Sequence, residues 1–133
     1  MRDALNATGR PIFYSPCNWG EEHTINWAPE VGNSWRTTQD IADLWTSIEF
    51  NFLYNSADAI ASAPGGWNDP DMLEVGNGGL TLEEERTHFA LWAIIKAPLI
   101  IGCDLTKISA DSLKILTNED LIAVNQDPGA IQA

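Results

Sequence analysis

The chain has 133 residues, 44% of them apolar, which suits one domain with a real core. Its formal net charge is −12, from 19 acidic and 7 basic residues. That balance argues against nucleic acid and anionic membrane surfaces as partners, because both would repel it, and it fits an uncharged ligand.

No run of about 18 apolar residues occurs, so no membrane-crossing helix is expected. The apolar stretch Ala97-Pro98-Leu99-Ile100-Ile101 is too short for a signal-peptide core, and no targeting segment is visible after Met1. Cys17 and Cys103 show no metal-ligand spacing, and two cysteines do not fix a redox compartment. Asn6-Ala7-Thr8 is a glycosylation sequon, which matters only in a secreted protein. Six tryptophans stand against two tyrosines and four phenylalanines. Indole faces stack on sugar C–H faces, but they also fill cores.

In chain order, Met1 to Thr8 reads as the end of a helix with Gly9 as its C-cap. Pro11 to Ser15 reads as a short strand bounded by Pro11 and Pro16. A polar loop bearing Trp19 and Trp27 follows, then a brief strand at Asn33 to Arg36. A helix is expected from about Thr38, with Thr37 and Asp40 in a capping-box relation and Ile41, Leu44, Trp45, Ile48 and Phe52 as its buried stripe. Pro64-Gly65-Gly66 breaks the chain, and Trp67 to Val75 supplies a third strand and its loop. Thr81 and Glu84 form a second capping box, before a helix carrying Phe89, Trp92 and Ile95 and stopping before Pro98. Leu99 to Gly102 reads as a strand buried on both faces. Ser109 to Leu116 and Asn118 to Val124 read as two short helices. Strands alternating with helices predict βαβ units and a parallel sheet. The polar and aromatic residues crowd just after the strands, the active face of a (β/α) barrel. A whole barrel needs about 250 residues, so four strands here make half of one.

Three constellations could carry chemistry. Arg36 and Asp40 are either an i,i+4 ion pair at a helix start or a general acid beside a sugar-binding arginine. In Trp67-Asn68-Asp69-Pro70-Asp71-Met72 two carboxylates flank a proline, which suits an Asx turn or, at Asp71, the acceptance of hydrogen bonds from sugar hydroxyls. A calcium loop would need more oxygen ligands at regular spacing. Cys17 is either a buried thiol or half of a disulfide, and Trp19 is either core or a stacking platform. His23 and His88 are isolated and take no role; His88 reads as a packed or surface residue of its helix.

Thr8-Gly9-Arg10-Pro11-Ile12-x-Tyr14-Ser15-x-Cys17-x-Trp19-Gly20 resembles the segment around the fifth barrel strand of melibiase-type α-galactosidases, a family of retaining glycoside hydrolases. Gly32 to Ile41 resembles the sixth, Pro64 to Leu73 the seventh and Ala97 to Leu105 the eighth, and Asn125-Gln126-Asp127-Pro128 resembles the closing segment. The resemblance runs in order over essentially the whole chain. It implies an α/β fold, the C-terminal half of a (β/α)8 TIM barrel over residues 1–133, with the first half and the usual C-terminal β-sandwich absent. It implies Asp40 as general acid/base, and Cys17, Trp19, Arg36, Asp71 and Met72 as substrate-binding residues, with Asp69 supporting the loop. It implies a carbohydrate substrate, an α-galactoside, with no cofactor and no metal, and a secreted parent protein whose cysteines include a disulfide.

Departures from the family pattern accompany the resemblance. The nucleophile's Lys-x-Asp segment is missing, and neither Asp58 nor Asp104 occupies its context. Asn18 stands where some members carry a Glu that touches substrate, and Gly129 follows Pro128 directly where a Leu is usual. The chain alone is therefore expected to be inactive. The alternatives are an α-N-acetylgalactosaminidase of the same family, a non-catalytic sugar-binding half barrel, and a structural half barrel that associates through its open edges. The oligomeric state is not legible in the sequence.

Overall fold

The fold, known from a computed structural model, is described for residues 1–132. Its regular sheet is small. Strand β1, Ser34–Arg36, and strand β2, Trp67–Asp69, run parallel with Ser34 opposite Trp67, Trp35 opposite Asn68 and Arg36 opposite Asp69. Their connection runs through helix α2, Trp45–Ala57, which makes the expected βαβ unit.

Two further extended segments flank the pair without becoming regular strands. Tyr14 O accepts the Asn33 N–H at 2.7 Å, and Pro16 O accepts the Arg36 N–H at 3.1 Å, so the Pro11–Ser15 run lies along β1. Pro11 and Pro16 have no N–H to return, and the ladder stays incomplete. On the other side Leu73 and Ile101 form one isolated parallel bridge. The Leu99–Gly102 run therefore departs from the expectation of a strand buried on both faces. Pro98 removes a donor, the Ile100 N–H turns back to Pro98 O at 3.0 Å, and Ile100 and Ile101 remain 49% and 43% exposed.

Helix α2 begins at Trp45 rather than near Thr38. The Thr37–Asp40 capping box does not form, because other partners take the backbone of this stretch. Asp71 Oδ2 accepts the Ile41 N–H at 2.8 Å, and Ser47 Oγ accepts the Ala42 N–H at 2.9 Å. Of the expected stripe only Ile48 is fully buried; Leu44 is exposed. The inward face of α2 is mixed, with Asn51 and Asn55 buried beside Ile48. Asn51 donates to Pro70 O at 2.9 Å, and Asn55 Oδ1 accepts from Gln132 Nε2 at 2.8 Å. Gln132 Oε1 in turn accepts from Asn68 Nδ2 at 3.2 Å, while Asn68 Oδ1 accepts the Trp35 indole N–H at 2.7 Å. A chain of paired amides thus runs beneath β1 and β2.

The other helices follow their local signals. Helix α1 is Arg2–Asn6, and Gly9 beyond it takes a φ of +68°. Helix α3, Leu82–Ile94, starts at the Thr81–Glu84 capping box, with both reciprocal bonds present. Helices α4, Ala110–Leu116, and α5, Glu119–Asn125, are capped by the side chains of Ser109 and Asn118. The main apolar core lies on this helical side. Ile48, Leu73, Val75, Phe89, Trp92, Ile95 and Ile115 form its centre.

His88 is fully buried in α3. Its Nε2 accepts the Glu74 N–H at 3.0 Å, and its ring meets Trp92 edge-on, centroids 4.1 Å apart. Burial pushes its pKa from 6.5 down to about 3. The folded state therefore resists protonation. The stability this contributes is complete above the unfolded value of 6.5 and is lost as pH falls toward about 3. One proton accounts for at most about 1.4 kcal/mol per pH unit. His88→Gln keeps an acceptor but cannot titrate, so its urea stability should fall less steeply than the parent's from about pH 7 to about pH 5. Equal slopes in the two chains would contradict this account. Asp69 and Glu74, whose pKa values burial raises, are common to both and drop out of the comparison.

Candidate active site

The register of β1 and β2 sets Arg36 and Asp69 side by side at the C-terminal edge of the sheet. Arg36 is the hub. Its side chain is 10% exposed, and Nη2 lies 2.6 Å from Asp71 Oδ2 and 3.1 Å from Asp40 Oδ1. Nη1 points at Cys17 Sγ, 3.8 Å away.

The two carboxylates differ in what else they do. Asp71 is 9% exposed. Its Oδ2 also accepts the Ile41 N–H, and its Oδ1 accepts the Met72 N–H at 2.9 Å. Its backbone sits at φ +85°, a left-handed conformation that only surrounding structure can hold in place. Asp69 Oδ1 accepts the Asp71 N–H at 2.9 Å, and the Trp92 indole donates to Asp71 O at 2.8 Å. Asp40 by contrast is 71% exposed, on the irregular segment between β1 and α2. Its Oδ1 accepts the Trp19 indole N–H at 3.1 Å. Burial raises the Asp69 pKa; the Asp71 N–H and Arg36 pull it down, and the Asp71 charge raises it further.

Trp19 is 43% exposed and has a φ of +59°. Gly20 follows at φ +77°, donating its N–H to Arg36 O at 3.0 Å. A Cβ at Gly20 would stand 2.3 Å from Thr37 O, so only glycine lets the chain pass there and present the indole to Asp40.

The structure brings together five of the six residues read from the sequence, Cys17, Trp19, Arg36, Asp40 and Asp71, through direct polar contacts. Met72 follows Asp71 and is 41% exposed. Cys17 and Cys103 are both free thiols and do not bond to one another. Cys17 is exposed beside Arg36, whereas Cys103 packs near Gly76, where a Cβ would lie 3.2 Å from its sulfur. No group of three or more His, Cys, Asp and Glu among the described residues is arranged to hold a metal ion. A cleft of about 500 Å³, lined in part by Phe13, Trp67, Pro98 and Leu99, shares none of the six residues.

Chemically the site offers one exposed carboxylate able to exchange protons with a solute. Beside it stand a buried cation, a buried acceptor and an exposed indole. The family model described as alpha galactosidase A matches residues 1–127. The chain belongs to the melibiase-type α-galactosidase family. It is 60% identical to alpha-galactosidase 3 of Arabidopsis thaliana, over 99% of this chain and 30% of that protein. It superposes on the α-galactosidase of Saccharomyces cerevisiae with a TM-score of 0.96 at 39% identity, covering 98% of this chain and 34% of the yeast one. A structure of α-galactosidase from Saccharomyces cerevisiae with raffinose gives a TM-score of 0.88 at 38% identity, covering 98% of this chain and 34% of that one. The chain thus spans about a third of the length of these melibiase relatives. The solved α-galactosidases of this family carry a TIM barrel, and the chain is a part of that fold with two regular strands and several helices.

Sequence reasoning missed His88, Trp92, Asn51 and Asn55 as supports of the segments that carry this cluster. Their signal was present as i,i+4 pairs of hydrogen-bonding side chains on α3 and α2, although each pair also reads as ordinary helix sequence.

The unequal burial of the two carboxylates predicts unequal costs. Asp71→Ala leaves Arg36 buried and short of its closest counter-charge, and should cost about 3–5 kcal/mol. Asp40→Ala removes an exposed partner and should cost less than about 1 kcal/mol. Denaturant unfolding of both variants checks the ordering, and equal costs would refute it.

Proposed function

We propose that this chain is the C-terminal half of the (β/α)8 catalytic barrel of a retaining α-galactosidase, contributing strands five to eight with their helices. The observation that carries the reading is the Asp40–Arg36–Asp71 cluster at the C-terminal edge of a parallel βαβ unit. Reaction sites of barrel enzymes occupy that edge.

Asp40 is the general acid/base. In the first step a nucleophilic carboxylate attacks the anomeric carbon, the glycosidic bond breaks, and Asp40 gives its proton to the departing oxygen. In the second, Asp40 takes a proton from water. The water oxygen displaces the carboxylate and galactose leaves with its configuration retained. Arg36, Asp71, Cys17, Trp19 and Met72 bind the sugar. Asp71 is suited to accept from hydroxyls, and Trp19 to cover a C–H face.

The nucleophile must stand about 5–5.5 Å from Asp40 across the scissile bond. Asp71 is assigned to sugar binding and not to that role, since it is buried and tied to Arg36, the Ile41 N–H and the Met72 N–H, while Oδ1 keeps a lone pair for a hydroxyl. We assign the nucleophile to no carboxylate of this chain, so the chain alone binds sugar weakly and does not cut it. Raffinose on the yeast relative supports α-linked galactosides as the substrate class. Galactose is favoured over N-acetylgalactosamine, because the relatives described above are α-galactosidases. A secreted parent protein fits the same reading.

The purified chain should show no turnover of an aryl α-galactoside. Joined to the N-terminal part of the Arabidopsis relative's barrel, it should gain activity that Asp40→Asn abolishes. Turnover by the chain alone, lost in Asp40→Asn, would overturn the assignment of the nucleophile. A joined protein that folds but stays inactive would overturn the functional reading.

A further inference from the structure

Asp71 sits in a strained backbone conformation at φ +85°, and its carboxylate must meet Arg36 at 2.6 Å for the site to hold its shape. Strain of this kind persists only where neighbours over-determine it. Asp69 supports the near side, through Oδ1 to the Asp71 N–H. The far side is held by α3. Trp92 donates its indole N–H to Asp71 O at 2.8 Å, and His88, one helical turn earlier, accepts the Glu74 N–H at 3.0 Å. The two rings are packed edge to face, centroids 4.1 Å apart, so neither can rotate without the other.

We propose that His88 and Trp92 are positioning residues, a two-point clamp by which α3 fixes the Asp71–Glu74 segment and thereby sets the Asp71 carboxylate against Arg36. The inference rests on the reading of Asp71 as a sugar-binding residue for its functional meaning, but its geometry stands apart from that reading. Neither residue touches the cluster with its own charge. Both act through backbone groups, Trp92 on a carbonyl and His88 on an N–H. The division of labour is chemically specific: position 88 must supply an acceptor and position 92 a donor. His88 Nε2 accepts only in the tautomer that carries its proton on Nδ1. That Nδ1 is buried without a hydrogen-bond partner among the described residues. The low pKa of His88 keeps the acceptor available across the neutral range. Glutamine is the residue that can reproduce it, because its side-chain oxygen reaches about where Nε2 lies, whereas leucine fills the space and offers nothing to the N–H.

The test uses the isotope-labelled 133-residue chain and needs no sugar. Two nuclear magnetic resonance signals are followed: hydrogen exchange of the Glu74 amide, and the guanidinium N–H resonances of Arg36, which report its contact with Asp71. An amide in α4, that of Ile115, serves as the control for global stability. His88→Leu should speed Glu74 exchange relative to Ile115 by about tenfold or more, the worth of one hydrogen bond, and should shift the Arg36 resonances toward those of an Asp71→Ala chain. His88→Gln should restore both signals toward those of the parent. Trp92→Phe, which keeps the ring and deletes the donor, should shift the Arg36 resonances while leaving Glu74 protected. If His88→Leu does not fold, Trp92→Phe decides alone. Unchanged Arg36 resonances in Trp92→Phe overturn the proposal. So does a His88→Leu chain in which Glu74 and Ile115 lose protection equally, or a His88→Gln chain no better than His88→Leu. A chain that passes these tests yet shows no response to galactose leaves the clamp standing and counts only against the proposed function.

Discussion

A guanidinium that is nine-tenths buried cannot be left without counter-charge, and much of this structure can be read as the answer to that demand at Arg36. Asp71 supplies the close partner, and supplying it forces the chain after β2 into a left-handed turn. The turn must then be held by Asp69 from one side and by α3 from the other. The same Asp71 carboxylate takes the Ile41 N–H, so the stretch after β1 is drawn out and α2 starts late. Asp40 is left on that drawn-out stretch, exposed, with Arg36 below it and Trp19 beside it. The solvent-facing carboxylate is thus a consequence of satisfying the buried one.

How much of this could be read beforehand depended on the range of the interactions involved. The starts of α3, α4 and α5 were legible because Thr81, Ser109 and Asn118 bond to backbone three residues on. The start of α2 was not, since its competitor Asp71 lies thirty residues away. The Thr37–Asp40 pair had the right spacing for a cap and lost to a tertiary bond. The strand at Leu99–Gly102 looked buried because it is apolar. Apolarity records what a segment is suited to touch, not whether anything in the chain touches it. The site residues were legible through motif resemblance far more than through physics. Spacing alone left Arg36 and Asp40 as a surface ion pair, and even in the structure that is part of what they are. The buried amides Asn51, Asn55 and Asn68 gave no warning, because a hydrophobic-periodicity reading treats asparagine as outward-facing.

Two kinds of interior therefore coexist. Under α3, α4 and α5 the packing is apolar and contiguous. Under β1, β2 and α2 it is a chain of directed amide bonds. The first tolerates exchange of one apolar side chain for another of similar volume. The second does not, since losing one member strands the donor or acceptor of the next. The site rests on the second kind, which confers a fixed geometry at the expense of mutational latitude.

Gln132 adds a dimension of time. It joins Asn55 across 77 residues of chain and Asn68 across 64, while only residues 95–109 separate α3 from α4 and residues 117–118 separate α4 from α5. Loop closure costs more entropy as the loop lengthens, so contacts among α3, α4 and α5 close at lower cost than those of Gln132. The amide chain beneath Arg36 is complete only when the segment around Gln132 is docked. A molecule with its helices formed and that segment undocked would carry every residue of the cluster and lack the footing that aligns them.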